Sequence, residues 1–119
     1  MLKEEGNSEK RKFPRIPFRE AVEYNMRDNN NFGGCLAYDL STGGMRINFN
    51  DFVPSQTKIS VRVSLGQPVN MVVDLVGRVV WIQQISHSER YHLGLEFTDT
   101  DGLRKSQEDI ASYVHSYSL

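Results

Sequence analysis

The stretch Ile59-Ser60-Val61-Arg62-Val63-Ser64-Leu65 decides the fold, because apolar and polar residues change places at every step. A period of two is the mark of a strand with one face buried and one face wet. Tyr91-His92-Leu93-Gly94-Leu95-Glu96-Phe97 repeats the pattern. Three shorter alternations precede both: Val22, Tyr24, Met26; then Leu36, Tyr38, Leu40; then Met45, Ile47, Phe49. Each set is expected to face the core. Residues 71–82 are apolar on both parities with Gly77 at their centre, which reads as one long strand bent at the glycine. Turn chemistry separates the segments at residues 28–34, at Pro54-Ser55-Gln56 and at Gly66-Gln67-Pro68. Six short strands so spaced predict an all-β fold, a six-stranded antiparallel β-barrel. After Phe97 the period lengthens, since Leu103, Ile110, Ala111, Val114 and Tyr117 recur at helical spacing. A C-terminal helix, with Asp99 or Asp101 at its start, is expected to plug or flank the barrel.

At 119 residues the chain fits one domain. Residues 1–9 are polar and read as a flexible N-terminal tail, and residues 10–119 as the folded domain. The net charge of −1 gives no general attraction to nucleic acid. Locally the balance differs: Lys10, Arg11, Lys12, Arg15 and Arg19 fall within ten residues that hold no acid. That segment is a basic arm suited to an anion. Cys35 is the single cysteine, so no intramolecular disulfide can form, and a reducing, cytoplasmic setting is expected. No stretch approaches the roughly 18 apolar residues of a membrane span. His87, His92, His115 and Cys35 show no metal-ligand spacing, so no metal is expected. Nucleophile, base and orienting group cannot be paired, and no enzyme is expected.

Two short segments carry the chemistry. If Leu36, Tyr38 and Leu40 face the core, Asp39 and Ser41 share the solvent-facing side of the strand end. Gly43 and Gly44 follow, so the chain can turn and let a ligand approach its backbone N–H groups. The same residues also serve in ordinary tight turns. In the basic arm, Pro14 works against a helix joining Arg11 to Arg15, and a wrapping loop is expected instead. Guanidinium groups on such a loop can bind phosphate, bond the O6 and N7 edge of guanine, or stack on a purine. A solvated basic tail would look alike.

Taken together the two segments are specific. Arg-Lys-Phe-Pro-Arg at 11–15 followed by Asp-Leu-Ser-Thr-Gly-Gly at 39–44 resembles the paired signature of PilZ domains, Arg-x-x-x-Arg and Asp/Asn-x-Ser-x-x-Gly. The resemblance continues through Gly77-Arg78-Val79-Val80-Trp81 and residues 91–97 into the C-terminal helix, covering about residues 10–117. It implies a barrel of the PilZ-like, split-barrel type that binds cyclic diguanylate (c-di-GMP), with no other cofactor. Arg11 and Arg15 would meet guanine and phosphate, Asp39 and Ser41 a guanine edge, and Gly44 would admit the ligand to the backbone. It further implies that Lys10, just before the first signature arginine, bears on whether one ligand or a stacked pair is held. Lys10, Lys12, Gly43, Arg46 and Trp81 could add contacts, although core or rim packing for Trp81 and a plain surface role for Arg46 and Arg78 are the simpler readings. A downstream protein partner, not identified by the sequence, would read the arm as it orders over the ligand.

Two other functions fit parts of the chain. A PilZ-like adaptor without ligand binding would share the fold. A small barrel binding single-stranded nucleic acid would use the arm with Phe13, Phe18 and Tyr24, but the near-neutral charge and the complete signature weigh against it.

Overall fold

The computed structural model describes residues 15–26, 31–98 and 102–118. Seven strands precede one helix: β1 (Ile16–Pro17), β2 (Ala21–Met26), β3 (Asn31–Leu40), β4 (Gly44–Phe49), β5 (Lys58–Leu65), β6 (Met71–Gln84), β7 (Tyr91–Phe97) and α1 (Leu103–Ser118). The sheet runs β3-β2-β5-β6-β7-β4, and β4 pairs back onto β3 to close a six-stranded antiparallel barrel. The short β1 is an extra strand on β3, with Pro17 opposite Asp39.

Alternation does what the sequence predicts wherever a strand is regular. Ile59, Val61, Val63 and Leu65 are buried, as are Met45, Ile47 and Phe49, and Leu93, Leu95 and Phe97. Their outward neighbours Ser60, Arg62, Ser64, Arg46, Asn48, His92 and Glu96 stay accessible, as the pleat requires, while Gly94 is buried.

Four expectations are corrected. In β3 the core position is Ala37, fully buried, while Leu36 is exposed and Tyr38 half-buried. The cause is a register shift between Ala37 and Asp39, which places an extra residue in β3 and reverses the parity. Asn31 to Gly34, read as turn, belong to β3 and pair with β2; the Tyr24 ring lies close over Gly33 and covers the bare backbone there. In β6 the irregularity falls between Val79 and Trp81 rather than at Gly77. Gly77 is a packing position, where a Cβ would sit 3.0 Å from the Leu95 Cβ.

The fourth correction concerns α1. Ile110 and Val114 are buried, and Tyr113 meets Phe18 edge to face at 5.9 Å, but Ala111 and Tyr117 are exposed. The helix flanks the barrel beside β1 and β6. The capping residues proposed for it, Asp99 and Asp101, lie outside the described residues. No described helix is long and apolar enough to cross a membrane.

Closure demands one close approach. Gly44 stands opposite Glu96, and a Cβ on it would lie 2.1 Å from the Leu95 carbonyl oxygen, which is backbone and cannot move aside. Gly44→Ala is therefore expected to destabilise the protein by about 2 kcal/mol or more, in the range of core overpacking. Gly66→Ala, with nothing within 4 Å of the added carbon, should be near neutral. Urea denaturation of both variants checks this, and equal stabilities would refute it.

Candidate ligand-binding site

Register builds the site before any side chain is considered. The short connection from Leu40 to Met45 pairs those two residues, so Asp39 falls opposite Arg46. Residues directly opposite share a face. Arg46 in turn faces Gly94, and Gly94 faces Trp81, which gives a row Asp39, Arg46, Gly94, Trp81 across four strands.

Asp39 is only 5% exposed, which makes it one of two buried polar residues among those described; Ser41 is the other. Its carboxylate is bracketed by cations. Oδ1 accepts from Arg15 Nη1 at 3.3 Å, and Oδ2 accepts from Arg46 Nε at 2.5 Å. The Arg46 guanidinium also stands 5.0 Å from the Tyr38 ring centre, and that ring packs 4.7 Å from His92. A desolvated anion thus lies under two half-exposed arginines. Burial pushes the Tyr38 hydroxyl above its ordinary pKa, Arg46 opposing and Asp39 reinforcing the shift, so the phenol stays neutral. Its oxygen is buried with no hydrogen-bond partner among the described residues.

The turn after Asp39 is fastened by Ser41. Its Oγ accepts from the N–H groups of Gly43 and Gly44 and donates to the Gly44 carbonyl, each at 3.2 Å. The Ser41 N–H donates to the same carbonyl at 2.9 Å. Gln107 of α1 donates from Nε2 to the Thr42 carbonyl at 3.0 Å, tying the helix to the turn.

Several expectations change in this light. Asp39 does lie on the face opposite Leu40, but neither it nor Ser41 is solvent-facing. Asp39 is roofed by arginines, and Ser41 is consumed in holding the turn. Gly44 is required first by the carbonyl of β7 behind it. Arg46 is more than a plain surface residue, since it holds Asp39 directly. Trp81 is a rim residue, 37% exposed, with its indole lying over the bare backbone of Gly94. The structure brings Arg15, Asp39, Ser41, Gly43, Gly44 and Arg46 together; Lys10, Arg11 and Lys12 lie outside the described residues. Tyr38 was missed as a site residue, having been assigned to the core.

A groove of about 880 Å3 lies elsewhere, on β2, β5 and β6, and holds none of these residues. Its charged pair, Arg62 with Asp74, is exposed on both sides and has ordinary surface character. Among the described residues no group of three or more His, Cys, Asp or Glu could hold a metal. What the site offers instead is fixed acceptors on Asp39 and guanidinium donors around them, a set suited to an anion that carries hydrogen-bond donors.

Comparison with known proteins agrees with the fold. No curated protein sequence matches the chain. Among solved structures, Bacillus subtilis inhibitor of motility (MotI/DgrA) superimposes with a TM-score of 0.77 at 18% identity, covering 92% of this chain and 52% of that one. The PilZ domain of YcgR from Escherichia coli, determined with c-di-GMP, gives 0.62 at 20% identity, covering 91% and 94%. The PilZ domain of CeSA from a cellulose-synthesizing bacterium gives 0.64 at 17% identity, covering 89% and 99%. The chain therefore spans about half of the first relative and nearly all of the two isolated domains. Residues 9–116 match the PilZ domain itself, and the chain belongs to the PilZ domain family.

Proposed function

We propose that this chain is a receptor for c-di-GMP, and that Arg11, Arg15, Asp39, Ser41 and Gly44 form its binding site. One observation carries the reading: a buried carboxylate whose two oxygens are each held by a separate arginine, beside a turn fixed by Ser41. Guanine presents N1–H and N2–H2 donors to such a carboxylate, and O6 and N7 acceptors to a guanidinium. Adenine lacks the paired donors, so Asp39 selects guanine. The phosphates fall to Arg11 and Arg15. The Arg15 bond to Asp39 is long at 3.3 Å, and a ligand can take over either partner at little cost. Support from relatives lies in YcgR of Escherichia coli and PlzA of Borreliella burgdorferi, both determined in complex with c-di-GMP.

Transmission runs through the arm. Arg15 leads directly into β1, whose Pro17 is opposite Asp39, and Phe18 then packs on Tyr113 of α1. Ligand gripped by Arg11 and Arg15 thus fixes residues 10–15 against the barrel, and the new surface is what a partner protein reads. Lys10, next to Arg11 in the sequence, is the cation this reading assigns to a second, stacked ligand.

Calorimetric titration with c-di-GMP, with GTP, cyclic GMP and a single-stranded oligonucleotide as controls, tests the receptor reading. Selective binding is expected, weakened about 10- to 100-fold in Arg15→Ala, since one bidentate arginine–guanine pair is worth roughly 1–3 kcal/mol. Absence of heat at high ligand concentration would leave an adaptor instead, and salt-dependent binding of the oligonucleotide alone would favour the nucleic-acid reading. Amide exchange across residues 8–16 is expected to slow at saturating c-di-GMP. Exchange that does not change would sink the transmission step while leaving the receptor intact.

A further inference from the structure

The row Asp39, Arg46, Gly94, Trp81 has a neighbour on the same face. Gly44 and Arg46 are two residues apart on β4, and Gly94 and Glu96 are two apart on β7, so they share the outer face. Glu96 stands opposite Gly44 on one side and Arg78 on the other, and the Arg78 guanidinium bonds the Glu96 carboxylate. A second arginine–carboxylate pair therefore sits beside the first. Two strand spacings and one two-residue step separate the Cα positions of Asp39 and Glu96, about 12 Å.

Three further features mark this spot. Between the pairs the backbone of Gly94 is covered by the indole of Trp81, itself 37% exposed, and that ring is the planar surface a base can meet. Glu96 and Arg78 are both accessible, their side chains 54% and 41% exposed, and an exposed ion pair of this kind holds weakly enough to open. Arg78 also has its Nε buried with no hydrogen-bond partner among the described residues, which leaves its pairing incomplete.

We propose that Glu96 and Arg78 are a second guanine-recognition pair, with Glu96 accepting from N1–H and N2–H2 and Arg78 donating to O6 and N7. The pair opens when the base enters, each partner exchanging one charged contact for bonds to the same guanine. This rests on the receptor reading above and extends it, because Asp39 would then engage one guanine and Glu96 another. The second guanine comes either from the far end of the same cyclic dinucleotide or from a second molecule stacked on it. Both sources present the same edge.

The test titrates c-di-GMP and its inosine analogue, which lacks the 2-amino donors, into wild type, Glu96→Gln, Asp39→Asn and Asp74→Asn. Glu96→Gln keeps one acceptor and loses the other, so c-di-GMP affinity should fall about tenfold while the analogue loses much less. Asp74→Asn makes the same charge change in an arginine pair away from the site and should bind as wild type does. A fall from two ligands to one in Glu96→Gln assigns the guanine to a second molecule; unchanged stoichiometry with weaker binding assigns it to the same molecule. Glu96→Gln binding c-di-GMP as tightly as wild type, while Asp39→Asn does not, would overturn the pair and leave the receptor standing. Equal losses for both ligands, or an equal loss in Asp74→Asn, would overturn it as well, as a charge effect without base recognition. No binding by wild type would remove the receptor reading itself, and that outcome is visible before any variant is compared.

Discussion

Closure of the sheet between β3 and β4 is the constraint on which the rest depends. A six-stranded barrel has no free edge only if the last strand returns to the first, and here that return is made through residues 41–43. The Ser41 hydroxyl holds the connection by bonding three backbone groups at once, and Gly44 allows β4 to lie against the Leu95 carbonyl. Because so short a connection fixes its own register, Leu40 must meet Met45 and Asp39 must meet Arg46. The charged cluster is thus a consequence of how the barrel closes. Changing the turn would change the site with it.

Burying Asp39 is costly, since a carboxylate leaves water only against a large desolvation penalty. Two arginines offset that penalty, yet apolar residues of similar volume would close the barrel at least as well. The arrangement makes better sense as pre-organisation. Asp39 is held in place by Arg15 before β1 and Arg46 on β4, so its acceptors keep one orientation, and on the proposed receptor reading the carboxylate itself needs little ordering on binding. The exposed pair of Arg62 and Asp74 shows the contrast: similar groups, with water free to compete at both ends.

Most of the fold was legible in the sequence because β4, β5 and β7 are regular, and a regular strand converts alternation directly into burial. Where the structure departs from regularity the reading failed, and for one physical reason. The shifts at Ala37–Asp39 and Val79–Trp81 each insert a residue, and an inserted residue reverses parity downstream without leaving a mark in the pattern of apolar letters. Leu36 and Tyr38 were misplaced by the first of these, and the bend assigned to Gly77 by the second. Asn31 to Gly34 looked like turn because Asn and Gly are turn residues, and only the Tyr24 ring across the strand explains their pairing. The site divides along the same line. Asp39, Ser41 and Gly44 are legible because they are close in the chain, whereas Arg46 as a partner of Asp39 becomes legible only when the hairpin is paired residue by residue from Leu40 and Met45.

On the proposed receptor reading, selectivity comes from the direction of hydrogen bonds, because leaving the Asp39 carboxylate facing a group that cannot donate to it carries a penalty that is largest when the carboxylate is already desolvated. The burial of Asp39 therefore makes each unmatched hydrogen bond expensive. The turn that carries the site is held to α1 by Gln107, and the root of the arm is held to α1 by the contact of Phe18 with Tyr113. The turn after Asp39 and the segment that follows Arg15 are thus anchored to one helix, which fixes the acceptors of the barrel relative to Arg15.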